Sequence, residues 1–315
     1  MTIAFVDSAH PLLAERLVAA GHSCTALHQL DGTALFSALN AVEGIIVRSR
    51  VLNAQLLAAA PKLSFIGRLG SGTENIDRVH CAQRGIAIHT SPEGNRDGVA
   101  ETAVMLLLML LKNAARANEQ VHRGLWLREE NRGTDLEGMT VGIIGFGHMG
   151  SAIAQRLQGF GVKVLAHDKY LRNYAPQPVI ETTLVRIQDE CDAISLHLPL
   201  TEETHHFVNA AFFARMRKPF HLINTARGGI VHTAALLDAI DAGKVLGAGL
   251  DVLEFERPDL SGLDPIQDPH SLARLLAHDR VVLTPHIAGV THEGKRKMAA
   301  VLADKILRDF PTGNA

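Results

Sequence analysis

Three short strings carry side chains able to do chemistry, and each stands where an apolar, strand-like run ends. Leu222-Ile223-Asn224-Thr225-Ala226-Arg227-Gly228-Gly229 places an arginine directly after a buried run and before two glycines. A guanidinium there is a permanent planar cation that can grip a carboxylate through two parallel bonds and polarise a carbonyl oxygen. The plainer reading is a surface arginine on a loop. Gly249-Leu250-Asp251-Val252-Leu253-Glu254-Phe255-Glu256 releases three carboxylates from one strand end. Asp251, at the tip, can accept a hydrogen bond from a ligand amide; Glu254 reads as a solvated loop acid, and Glu256 is open to either reading. Thr284-Pro285-His286-Ile287-Ala288-Gly289 sets an imidazole beside a proline-fixed turn. Alone, that ring reads as a buried structural histidine. Sharing a site with an arginine and a glutamate, it can give a proton to the alkoxide that forms when a carbonyl is reduced. A carboxylate neighbour favours the protonated ring which that step needs.

A second kind of signal lies upstream, in Thr140-Val141-Gly142-Ile143-Ile144-Gly145-Phe146-Gly147-His148-Met149-Gly150. An apolar run enters G-x-G-x-x-G, and a helical pattern (Ile153, Ala154, Leu157) follows. Gly145 permits the tight turn, Gly147 lets backbone approach a pyrophosphate, and Gly150 allows close helix-strand packing. The helix start then offers N–H groups and a positive dipole end to phosphates. A further strand ends in His167-Asp168, at the spacing from which a carboxylate grips a ribose 2′-OH. The order of strand, glycines, helix, strand and acid predicts a dinucleotide site. Asp168 favours NAD over NADP, because it repels a 2′-phosphate. Lys169 and Arg172 follow closely; they soften that preference unless they are a solvated charged turn.

Elements able to position these groups alternate along the whole chain. Residues 3–6, 23–27, 44–47, 65–67 and 86–89 read as strands with helical stretches between them, such as 11–20. After a polar loop at 90–97 comes a long apolar helix from about 98 to 122, then a charged loop at 123–137. A second βαβ series follows, with strands at 140–144, 162–166, 193–198, 221–224, 247–250 and 281–284, which fit one six-stranded sheet. Such order predicts an α/β protein with parallel sheets covered on both faces. The last helical pattern, 292–310, must pack outside that sheet, and a return to the first domain gives two crossings and a cleft between domains. The expected division is 1–97 plus 286–315 for one domain and 98–285 for the other.

Composition narrows the partners. At 315 residues the chain is long enough for two domains. A net charge of −2 gives no basic footprint for nucleic acid or for a membrane surface. The longest apolar run, 103–111, is too short to span a bilayer, and the opening residues read as a strand, not a signal peptide. Cys24, Cys81 and Cys191 have neither metal-ligand nor disulfide-framework spacing, so no metal and a reduced, cytoplasmic location are expected.

Taken together, the strings resemble the D-isomer-specific 2-hydroxyacid dehydrogenase family. The resemblance runs from Arg48-Ser49 to Gly289. It includes Arg68-Leu69-Gly70-Ser71-Gly72-Thr73-Glu74-Asn75-Ile76-Asp77 and His197-Leu198-Pro199-Leu200-Thr201-Glu202-Glu203-Thr204. It implies two Rossmann-like domains, a flavodoxin-like substrate domain and a doubly wound NAD-binding domain. It implies that Arg227 holds the substrate, that His286 is the acid/base and that Glu256 is its partner. Cofactor contacts are implied at Gly145, Gly147, His148, Met149, Gly150, Asp168, His197, Pro199, Thr204, Thr225, Ala226 and Asp251, the last orienting a carboxamide. Arg48, Ser49, Gly70, Ser71 and Gly72 are implied to meet the substrate from the first domain. A homodimer through about 98–137 and a hinged closure over NADH and substrate are implied as well.

Three departures qualify the resemblance. The family's Glu-Pro pair is here Glu256-Arg257-Pro258, so the loop after the glutamate is expected to be held differently. Glu93-Gly94-Asn95-Arg96-Asp97-Gly98 has an arginine where small residues are common. Arg96 either recognises a second anionic group, such as a substrate phosphate, or pairs with Asp97 or Glu93. The chain stops at Ala315, so no C-terminal regulatory module, as in some phosphoglycerate dehydrogenases, is expected. The expected reaction interconverts a D-2-hydroxy acid and its 2-oxo acid, with 3-phosphoglycerate and 3-phosphohydroxypyruvate favoured by Arg96. The alternatives are a glyoxylate/hydroxypyruvate reductase and, from another class, a dinucleotide-sensing binding protein like the family's corepressors.

Overall fold

A computed structural model describes residues 1–264, 266 and 268–311. The chain divides into two compact units, one of Met1–Arg96, Arg257–Ser261 and Val290 onward, the other of Asp97–Glu256 and Gly262–Gly289. The return to the first unit therefore begins at Val290, not at residue 286. His286 stays with the second unit because backbone and side-chain bonds tie its turn to Asp251. The segment 257–261 is a further excursion, so the chain passes between units four times where two were expected.

In the first unit β1 (Thr2–Phe5), β2 (Ser23–Ala26), β3 (Gly44–Val47), β4 (Phe65–Arg68) and β5 (Ala87–Thr90) form a parallel sheet in the order β2-β1-β3-β4-β5. This is the flavodoxin-like order. Buried β-branched residues such as Ile45, Ile46 and Val47 fill its centre. The returning helix His292–Asp309 presents Met298, Ala299, Leu302, Ala303 and Ile306 to Ile3, Phe5, Leu13 and Phe65. That stripe recurs at the three- and four-residue spacing of one helix face.

The second unit's sheet has seven parallel strands. They are β6 (Thr140–Ile144), β7 (Lys163–His167), β8 (Ile180–Glu181), β9 (Ala193–Leu196), β10 (Phe220–Asn224), β11 (Val245–Leu250) and β12 (Val281–Leu283), in the order β12-β11-β10-β9-β6-β7-β8. The six expected strands are present, and β8 is the addition. It pairs with β7 through only two residues, Ile180 and Glu181. Pro176 and Pro178 lie just before it. With it the sheet has the doubly wound order in which the direction of winding reverses at its first and fourth strands, here β6 and β9.

The polar loop expected at 90–97 is mostly helix. Pro92–Leu111 is one element, opened by a proline, which fits a first helical turn because its missing N–H would have no partner there. The single helix expected to reach residue 122 breaks at Asn113, whose φ of 52° ends the regular turns, and Ala114–His122 follows bent by 66°. Among the described residues no single helix is long and apolar enough to cross a membrane. Ala100, Ala103, Leu106, Leu107 and Leu111 of the longer helix are buried in the second unit's core.

Candidate active site

The glycine turn sits at the β6/β9 reversal. Gly145 has φ 90°, and a Cβ there would fall 2.4 Å from the carbonyl oxygen of His197, at the end of β9. A Cβ on Gly150 would fall 2.1 Å from the Gly145 oxygen, so only glycine lets the helix His148–Leu157 lie this close to its strand. At Gly147, by contrast, a Cβ would meet nothing within 4 Å. Gly147, His148 and Met149 thus form an open helix start. Asp168 closes the turn from the side: one carboxylate oxygen accepts the Phe146 N–H at 2.9 Å, and the other accepts those of Tyr170 and Leu171 at 2.9 and 3.0 Å. Burial pushes this carboxyl's pKa up, and the three N–H donors outweigh it and hold the group below the usual range. A carboxylate has about four acceptor positions, so one is left for a ligand hydroxyl.

The loop after β9 is ordered by its own polar groups. The Thr204 hydroxyl donates to the Pro199 carbonyl at 2.6 Å and accepts the Thr201 N–H at 2.8 Å. His197 pairs through Nε2 with the Ser195 hydroxyl at 2.8 Å. Burial pushes its pKa down to about 3, so the ring is neutral at pH 7. After β10, Asn224 holds the exit loop: its side-chain oxygen accepts the Ala226 N–H at 3.0 Å, and its amide donates to the Arg227 carbonyl at 2.9 Å. The buried Thr225 hydroxyl has no hydrogen-bond partner among the described residues.

Arg227 follows, half-buried, with Nη1 donating to the Ala226 carbonyl. Gly228 is packed rather than flexible. A Cβ on it would lie 2.0 Å from both the carbonyl carbon and oxygen of Leu253, so the arginine loop and the acidic loop are in backbone contact. Glu256 closes the acidic loop by accepting the Leu253 N–H through Oε1 at 2.9 Å. Its Oε2 meets His286 Nδ1 at 2.9 Å. Nδ1 is thereby engaged, which leaves Nε2 as the nitrogen able to pass a proton. His286 has φ 53°, a left-handed backbone that an L-residue adopts only when its surroundings impose it. Asp251 imposes it. Its carbonyl accepts the His286 N–H at 2.8 Å, and its buried carboxylate accepts the Thr284 hydroxyl and the N–H groups of Ile287 and Ala288. Asp251, expected to orient a carboxamide, is placed here as the clamp on the histidine turn.

Glu254 overturns its expected reading as a solvated acid. It accepts the Thr233 N–H at 2.9 Å, at the start of the helix Thr233–Asp241, and pairs with His206. Burial raises its pKa, but the Thr233 and His206 contacts prevail and hold it below the usual range. His206 in turn donates its backbone N–H to Gly229, so the pair ties the arginine loop to the acidic loop a second time.

The first unit holds its own candidates. Asp7 Oδ2 accepts the N–H groups of Arg48, Ser49 and Arg50 at 2.7, 2.8 and 2.9 Å, so one carboxylate shapes that loop. The Gly70 N–H donates to the buried Ser91 hydroxyl, and its space toward a Cβ is filled by the Arg68 guanidinium. Ser71 is exposed and Gly72 buried. Arg96 is exposed on the first turns of the helix Pro92–Leu111; Glu93 and Asp97 bond Lys305 and Arg156.

Comparison with known proteins decides the family. Residues 104–288, more than half of the chain, match the family model described as "D-isomer specific 2-hydroxyacid dehydrogenase, NAD binding domain". The chain belongs to the D-isomer-specific 2-hydroxyacid dehydrogenase family. Members of this family are oxidoreductases acting on CH–OH donors with NAD(P). A relative named hydroxypyruvate reductase, from Thermotoga maritima, is 36% identical over 282 residues, which are 89% of each chain. One named D-3-phosphoglycerate dehydrogenase, from Archaeoglobus fulgidus, is 36% identical over 87% of this chain, which spans only 51% of that relative. A solved NADPH-dependent glyoxylate/hydroxypyruvate reductase from Sinorhizobium meliloti, in complex with NADP and malonate, is 30% identical. It superposes with a TM-score of 0.81 over 100% of this chain and 95% of its own.

The dehydrogenase's second unit fits a dinucleotide on its own geometry: open space at Gly147 where the helix begins, a spare acceptor on Asp168 and a buried Thr225 hydroxyl with no partner among the described residues. Asp7, Ser91, Asn224, Glu254 and His206 were not legible as site-shaping residues. Their contacts reach groups far along the chain, except that Asn224 bonds Ala226 and Arg227 just beyond it in an Asx-type turn.

Proposed function

We propose that this dehydrogenase interconverts a small D-2-hydroxy acid and its 2-oxo acid with NAD as the preferred cofactor. The carrying observation is the Glu256–His286 contact at 2.9 Å, on a loop in backbone contact with the Arg227 loop. Arg227 binds the carboxylate and the C2 oxygen, where a fixed cation stabilises charge that develops on that oxygen. When bound, the nicotinamide supplies or accepts the hydride at C2. His286 Nε2 gives the proton to the C2 oxygen in reduction and takes it in oxidation, and Glu256 stabilises the imidazolium and fixes the ring. Gly145, Gly147, His148, Met149, Gly150 and Asp168 hold the dinucleotide, with His197, Pro199, Thr204, Thr225, Ala226 and Asp251 around it. Arg48, Ser49, Gly70, Ser71 and Gly72 contribute to substrate choice.

The substrate we propose is hydroxypyruvate, glyoxylate or the phosphorylated 3-phosphohydroxypyruvate, and Arg96 is the residue that separates them. NADH oxidation followed at 340 nm (the absorbance of reduced nicotinamide) with these three acids, pyruvate and 2-oxoglutarate tests the reading. The expected result is turnover of at least one of them. If Arg96 binds phosphate, Arg96→Ala lowers kcat/KM for 3-phosphohydroxypyruvate about tenfold or more and spares hydroxypyruvate. Equal losses remove that role, and a folded, NADH-binding protein that turns over none of the panel defeats the substrate class.

We further propose a cytoplasmic homodimer through residues 98–137. Support comes from Val121, Leu125 and Trp126, which are 51%, 46% and 78% exposed in this segment, more apolar surface than a solvated edge needs. Sedimentation velocity is expected to give a dimer, and Trp126→Glu to shift it toward monomer. A monomeric wild type at micromolar concentration contradicts the proposal.

A further inference from the structure

The charges just beyond Asp168 have no part in the reaction and are arranged in a particular way. Lys169 directs its ammonium to Glu203 Oε1, and the Tyr170 hydroxyl donates to Glu203 Oε2 at 2.8 Å. The same ammonium lies 5.5 Å from the centre of the Tyr170 ring. Glu203 comes from the turn after β9, where the bonds among Pro199, Thr201 and Thr204 hold its backbone. Arg172, the other nearby cation, donates Nη1 to the carbonyls of Asp168, Lys169 and Leu171. Of the two cations beside Asp168, Lys169 is therefore paired with a second carboxylate, while Arg172 turns one nitrogen back onto its own loop's carbonyls. The pair also holds Glu203 below and Lys169 above their ordinary pKa ranges, the Lys169–Glu203 hydrogen bond being the largest cause for each.

Stability does not explain the arrangement. Lys169 and Glu203 are 60% and 49% exposed, and ion pairs so open to water contribute little to folding. Selectivity does. The 2′-phosphate that distinguishes NADP carries nearly two negative charges, and a free lysine is a good point-charge ligand for it. We propose that Glu203 is a cofactor-selectivity residue, which withholds Lys169 from a 2′-phosphate and places a second negative charge near Asp168. This rests on the reading that Asp168 meets the adenosine ribose.

Calorimetric titration of the purified protein with NADH and with NADPH, with no substrate present, tests it. The proteins are wild type, Glu203→Gln, Lys169→Ala and the double variant. Glu203→Gln is expected to tighten NADPH about five- to tenfold, the scale of one charge removed at an exposed site, and to leave NADH within about twofold. The double variant is expected to lose the gain, since the freed ammonium is what receives the phosphate. Unchanged NADPH affinity in Glu203→Gln, with NADH still bound, overturns the inference. A gain that survives in the double variant overturns the role of Lys169. Absence of NADH binding by the folded wild type defeats the dinucleotide reading itself, which is a separate outcome. Equal melting temperatures across the four proteins exclude a folding effect.

Discussion

His286→Ala is expected to lower kcat by roughly two to four orders of magnitude, the span that a positioned general acid contributes. The imidazole is anchored at Nδ1 by Glu256 and delivered by a backbone conformation imposed from Asp251, so no neighbouring group is built to replace it. Binding of NADH should hardly change, because the glycine turn and Asp168 are ordered by bonds that do not involve His286. Steady-state rates on the best acid of the panel, measured beside NADH titrations, check both halves. A loss of less than tenfold in kcat means that another group moves the proton. A collapse of NADH affinity means that the histidine holds structure instead.

Asp251→Asn is the second large effect, and it separates two roles. The carboxylate is 1% exposed and accepts three hydrogen bonds, from Thr284 Oγ1 at 2.6 Å and from the N–H groups of Ile287 and Ala288 at 2.9 Å. An amide keeps one acceptor oxygen and turns an NH₂ toward donors, which leaves buried N–H groups without partners. The expected cost is about 2 to 4 kcal/mol of stability, with a melting temperature several degrees lower. Activity should fall too, since the left-handed turn that carries His286 loses its clamp. Were Asp251 only to orient a carboxamide, melting would be unaffected and NADH affinity alone would drop. Thermal melts and NADH titrations on the same preparation tell these apart.

The elements that carry the site were legible wherever one stretch of chain contains its own instructions. The run from Thr140 to Gly150 is such a stretch, because strand, turn and helix start are each encoded by local residue types. The run 44–47 is likewise buried on both faces and reads as a continuous apolar string. β8 was not legible, since two residues beside prolines make no periodic pattern and pair only because β7 lies next to them. The helix at Pro92 was misread as loop because Glu93 to Asp97 are polar on their own, whereas the fold supplies Lys305 and Arg156 for the two carboxylates. Glu254 and Glu256 look alike in sequence, two residues apart. Only the folded chain shows that one holds a helix start and the other a histidine.

The contact of Gly228 with Leu253 has a bearing on how this protein can be altered. A methyl group at position 228 would land 2.0 Å from main-chain atoms, which cannot rotate aside as a side chain can. Any library that varies residue 228 would disturb the arginine and the glutamate at once, and most of its members would be dead for reasons unrelated to substrate choice. Efforts to widen the range of acids accepted should leave this glycine alone and vary loop residues whose neighbours have room to yield, such as the exposed Ser71. The same property makes Gly228 a useful marker: a homologue with a larger residue there must have rebuilt both loops.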